Sequence, residues 1–104
     1  MDNSREEIIL VEICRELQSL VPEYLENRHR ECDELDRLLL AGETDDIYLL
    51  AHRMKGSGGS IGFDEISEIG EALENAVNRA DGEGIRSGVE RLKGYLARVR
   101  VEYV

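Results

Sequence analysis

The chain has no tryptophan and a single proline. No apolar run approaches the ~18 residues of a membrane span. The start, Met1-Asp2-Asn3-Ser4-Arg5-Glu6-Glu7, is acidic and polar. It has no basic stretch ahead of an apolar core, so it is not a signal peptide, and a cytoplasmic location is expected. Basic charge is also short. Thirteen Lys and Arg stand against 23 Asp and Glu, a net charge of −10, and such a surface repels phosphate backbones, which argues against nucleic-acid binding. The two cysteines, Cys14 and Cys32, form neither a CxxC pair nor the Cys/His spacing of a zinc site. Both fall at apolar positions of expected helices and are read as reduced core thiols. Sustained alternation of period two, the mark of half-buried strands, is missing.

What is present is helical periodicity. At 104 residues, 41% hydrophobic and 35% charged, the chain fits one globular domain spanning 1–104. A first helix is expected over about Ser4 to Leu20, with Ser4 and Glu7 as a capping box. Ile9, Ile13, Leu17 and Leu20 form its apolar face, broadened by Ile8, Leu10, Val11 and Cys14. Pro22 suits the first turn of a second helix, about Val21 to Leu40, which buries Val21, Leu25, Cys32, Leu35, Leu38 and Leu39 and closes at Ala41-Gly42. Thr44 is expected to cap a third helix ending near Gly58 or Gly59. Asp64 is expected to cap a fourth, with Ile66, Ile69, Gly70, Leu73, Ala76, Val77 and Ala80 inward. Asp81-Gly82-Glu83-Gly84 is a turn. The last helix carries Ile85, Val89, Leu92, Leu96, Val99 and Tyr103. Long helices joined by short loops give an all-α, antiparallel up-down four-helix bundle, with the first segment as an additional short N-terminal helix.

One residue stands out against this frame. On the third of these long helices, Ile47, Leu50, Ala51, Met54, Gly58 and Ile61 make the core-facing stripe at ~100° per residue. His52 falls opposite the stripe. Tyr48, Leu49, Lys55 and Gly56 are its neighbours one turn away, with Gly59 two turns on. A titratable imidazole is thus presented outward on a surface kept low by glycine, which suits chemistry done with a partner protein. His29 lies in a charged stretch and is read as a surface residue.

The run Ala51-His52-Arg53-Met54-Lys55-Gly56, the glycines through Ile61-Gly62-Phe63, the stretch Leu20-Val21-Pro22-Glu23-Tyr24-Leu25-Glu26-Asn27-Arg28, the Ala41-Gly42 turn, and Ile69-Gly70 before Leu73-Glu74 together resemble the histidine-containing phosphotransfer (HPt) domains of bacterial phosphorelays. The resemblance covers nearly the whole chain. It implies that His52 carries the phosphoryl group and that Lys55 places positive charge beside it. It further implies that Gly56 and Gly59 give a receiver domain clearance, and that Glu74, 22 residues on, orients the ring. Tyr48, Leu49 and Arg53 become candidate partner contacts. Expected partners are response-regulator receiver domains and a hybrid sensor histidine kinase. The carrier itself is expected to be a monomer without cofactor, the receiver supplying Mg²⁺. It is not an enzyme in its own right: Lys55 precedes the glycines, whereas a P-loop needs its lysine after them.

Two alternatives remain at this stage. Gly62-Phe63 and Glu74 also resemble the phosphotransfer domain of chemotaxis-type kinases, which a separate ATP-binding domain phosphorylates directly. A helical adaptor that docks without carrying phosphate is the other. A metal role for His52 lacks a second ligand at i+4, where Gly56 sits.

Overall fold

A computed structural model of the protein describes residues 7–104. Four helices run over Val21–Ala41 (α1), Thr44–Ile61 (α2), Asp64–Asn78 (α3) and Gly82–Arg98 (α4). Connections of two or three residues hold neighbours antiparallel. The helices close into a ring, α1 against α2 and α4, and α3 against α2 and α4, with the most extensive contact between α2 and α3. No helix among the described residues is long and apolar enough to cross a membrane.

The core follows the helical stripes. Tyr24, Leu35 and Leu38 of α1, Ile47, Ala51 and Met54 of α2, Ile66, Ile69 and Leu73 of α3, and Val89, Leu92 and Tyr95 of α4 are buried together. Gly42 (φ 71°) and Gly62 (φ 118°) terminate α1 and α2 in the left-handed region, where a side chain is disfavoured. The helix starts differ from expectation. Thr44 and Asp64 are the first helical residues rather than caps, and the non-helical residues before them are Glu43 and Phe63, neither with a side-chain cap bond. Asp81 does cap α4, its Oδ1 accepting from Gly84 N–H at 3.0 Å. The helix carrying His52 reaches Ile61, beyond Gly58 and Gly59. Ala80, expected inward, is exposed.

The first segment is not a helix. Ile9–Ile13 is a strand (β1), and only Arg15–Leu17 is helical, as one 3₁₀ turn. Ser4, half of the expected capping box, lies outside the described residues, and Glu7 precedes the strand. The end of the last helix is also reassigned: α4 stops at Arg98, and Val99–Tyr103 forms a second strand (β2). The two pair in parallel, Ile9 with Val99 through Ile13 with Tyr103. Ile9, Val11 and Ile13 face the bundle with Val99, Val101 and Tyr103, while Leu10, Glu12, Arg100 and Glu102 face outward. Ile13 seats the sheet on the helices: a Cβ on Gly62, in the α2–α3 turn, would lie 3.1 Å from its Cγ1. The strand also changes one cysteine. Cys14, just past β1, is exposed, whereas Cys32 is buried, and burial pushes its thiol up to about 11.

Candidate functional site

α2 presents His52 on the outside of the bundle because the four buried residues Ile47, Ala51, Met54 and Gly58 fix its rotation. The imidazole is 68% exposed. Its Nδ1 lies 2.7 Å from Glu74 Oε2. Tyr48, one turn earlier, lays its ring nearly parallel to the imidazole at 6.2 Å between centroids. With Nδ1 engaged by a carboxylate, the proton sits on Nδ1, and Nε2 carries the lone pair.

Glu74 reaches the histidine because α3 runs unusually close to α2. A Cβ on Gly70 would meet Ala51 C=O and Lys55 N–H at 2.6 Å, and one on Gly58 would meet Phe63 C=O and Ser67 N–H at 2.7 Å. Backbones this close bring a carboxylate one turn past Gly70 to the flank of the ring. Ser67 fastens the same seam: its Oγ donates to Lys55 C=O and accepts from Gly59 N–H, both at 2.8 Å. Glu74 is the one buried charged residue of the described chain, only 6% exposed. Its second oxygen accepts from Lys55 Nζ at 3.3 Å. Burial pushes the carboxyl upward, but the hydrogen bonds from His52 and Lys55 and the lysine charge outweigh it, holding Glu74 below the usual carboxylate value.

The other residues singled out in the sequence fall around this triad. Beside Gly56 a Cβ would meet nothing within 4 Å, so the surface next to the ring is open. Gly59 differs, since a Cβ there would rest at 3.5 Å from Asp64 and Ser67 side chains, bordering the start of α3. Tyr48 and the half-exposed Leu49 line an open groove with Asp45, Val77 and Asn78. Arg53, exposed beside His52, borders a shallow recess with Glu34, Asp46 and Leu50.

A cluster to which the sequence reading gave no role, although Tyr24 and Arg28 lie in the stretch that resembles HPt domains, braces α1 against α2 behind the site. Tyr24 Oη and Ser57 Oγ lie 2.8 Å apart, Arg28 Nη1 donates to Ser57 Oγ at 3.4 Å, and Arg28 stacks over the Tyr24 ring. Tyr24 in turn stacks on Phe63, which is fully buried. An advance signal was the phase of Tyr24, eight and eleven residues before the buried Cys32 and Leu35 of the same helix.

The family model described as Hpt domain matches residues 19–102. The chain belongs to the Hpt domain family. Hpt domains are phosphoryl carriers of phosphorelays rather than catalytic enzymes, and they work with partners such as receivers and kinases. No individual curated protein and no solved structure matches this Hpt domain. The match leaves out β1, so the parallel strand pair is only half inside the part compared.

Proposed function

We propose that this Hpt domain is a stand-alone relay carrier that takes a phosphoryl group on His52 from one receiver aspartate and hands it to another. The observation that carries this reading is the 2.7 Å contact between His52 Nδ1 and the buried Glu74, on a ring otherwise open to solvent. With the proton held on Nδ1, the Nε2 lone pair attacks the phosphorus of an aspartyl phosphate. The N–P bond forms, the P–O bond to the aspartate breaks, and the aspartate leaves as carboxylate. No proton has to depart. The ring becomes cationic, and Glu74 stabilises that charge at short range. The reverse transfer uses the same contacts.

Lys55 has a 3.3 Å bond to Glu74 and is 45% exposed, so it is placed to turn its ammonium toward phosphoryl oxygens one helical turn away. Gly56 leaves room for the rim of an acidic receiver pocket, and Gly59 supports the same clearance from the edge of the surface. Tyr48, Leu49 and Arg53 supply the surrounding contact area. This chain needs no cofactor of its own; Mg²⁺ and the aspartate belong to the receiver. Direct phosphorylation by a separate kinase domain of the chemotaxis type is the second reading, favoured by a carboxylate at position 74.

The deciding experiment is intact-mass measurement after incubation with a receiver domain charged by a small phosphodonor. One phosphoryl group is expected, lost in mild acid and absent in His52→Gln. Phosphate accepted by His52→Gln overturns the assignment. Labelling by kinase and ATP without any receiver moves the function to the second reading, and no labelling from either source moves it to the adaptor.

A further inference from the structure

The two-stranded sheet has two edges of different character. Val104 N–H donates to Ile13 C=O at 3.0 Å, and in a parallel strand the backbone groups of successive residues point to opposite sides. Ile9, Val11 and Ile13 therefore aim theirs at β2, and Leu10 and Glu12 aim theirs away. On β2 the outward residues are Val99, Val101 and Tyr103, and both ends of this edge carry partners. Val99 N–H donates to Tyr95 C=O at the end of α4. Val99 C=O accepts from Arg100 Nη1 at 2.8 Å, and Tyr103 C=O from Arg15 Nη2 at 3.5 Å.

The β1 edge has no such cover. The outward N–H and C=O groups of Leu10 and Glu12 find no backbone partner among the described residues. Ile8 and Leu10 are 63% and 61% exposed. Monomeric proteins blunt an open edge with charge, proline or a bulge, yet Ile8-Ile9-Leu10-Val11 offers an apolar run with only Glu12 beyond it.

We propose that β1 is a dimerisation strand, pairing antiparallel with β1 of a second copy to form a four-stranded sheet in the order β2-β1-β1-β2. The edge is self-complementary about Leu10. With Leu10 of each copy on the two-fold axis, Glu12 of one meets Ile8 of the other, so no like charges oppose each other despite the net charge of −10. The two leucines and two isoleucines gather on the outer face. The assembly closes at two copies, because a two-fold contact uses the same β1 edge of both, and the β2 edges left outside are covered at their ends by α4, Arg100 and Arg15. His52 remains free: it precedes Gly62, against which Ile13 packs, by ten residues, about 15 Å along α2. This dimer replaces the monomer expected from sequence and does not depend on the phosphotransfer reading.

The test is sedimentation equilibrium of the full chain across the micromolar range, at low and at higher salt. Wild type is expected to dimerise, more tightly when salt screens the acidic surfaces. Leu10→Pro removes only an outward N–H, so the β1–β2 ladder and the helical CD spectrum should persist while the dissociation constant rises about tenfold or more. Leu10→Lys keeps the backbone donor, sets two like charges face to face on the axis, and should weaken the dimer as well. A wild-type monomer throughout the range overturns the proposal, as does a dimer that survives both substitutions or an assembly larger than two.

Discussion

Glu74 does two things with one carboxylate: Oε2 fixes the His52 tautomer and Oε1 holds Lys55. Its burial alone would favour the neutral acid, and the hydrogen bonds from His52 and Lys55, with the lysine charge, reverse that. A carboxyl held below its unfolded value of ~4.3 contributes stability that is fully present above that value and is lost as pH falls through the folded one. Glu74→Gln keeps the shape but removes the charge. The variant should be less stable than wild type by roughly 1–3 kcal/mol at neutral pH, and the gap should shrink as pH drops below about 4. Urea titrations of both proteins between neutral and acid pH read this directly. A gap that stays constant would show that the carboxylate charge is not what Glu74 contributes. The same substitution should leave His52 able to accept phosphate but more slowly, since the cationic ring loses its counter-charge.

At the scale of elements, the site exists because α2 and α3 touch backbone to backbone. Gly70→Ala places a methyl 2.6 Å from Ala51 C=O and Lys55 N–H, neither of which can swing aside. The helices must separate, at a cost of about 1–3 kcal/mol, and Glu74 moves away from the ring with them. Thermal melts should report the first effect, and the imidazole ¹⁵N shifts should report the second, as a tautomer mixture in place of a fixed Nδ1–H. Unchanged shifts would detach Glu74 from the helix spacing. Much of this seam was legible in advance, because Gly58 and Gly70 lie on apolar stripes and His52 opposite one. The strands were not, for a specific reason. Ile9, Ile13 and Leu17 recur at four, as do Val99 and Tyr103, and a spacing of four satisfies a helix face and an even-numbered strand face alike. Val11 and Val101 break the tie, but their partners lie 90 residues apart in the chain, and no local pattern records such a pairing. The helix starts were displaced for another reason. Phe63 is fully buried, and its C=O accepts from Ile66 and Ser67 N–H, so a core anchor rather than the preference of Asp64 for a cap sets where α3 begins.

For the whole molecule, the question is whether the parallel strands belong to the bundle or merely hang from it. Ile13 answers through three attachments. It pairs with Tyr103, its C=O accepts from Val104 N–H at 3.0 Å, and its side chain, 2% exposed, packs under Gly62 in the turn that joins α2 to α3. Either end of the described chain is thereby tied to the turn below the histidine helix, and loosening the sheet should loosen that turn. Ile13→Ala removes buried methyl groups where the turn glycine cannot fill the space, which should cost about 2–5 kcal/mol. In a domain of this size that lowers Tm by about 10 °C or more. Melts followed by far-UV CD for the helices and by near-UV tyrosine absorbance for Tyr103 and the core tyrosines, at one fixed protein concentration, should shift together as a single transition. Two separated transitions, with the helical signal melting at the wild-type temperature, would make the strands an appendage. A common shift means that an interaction made at the β1 edge bears on the same cooperative unit that holds His52 in place.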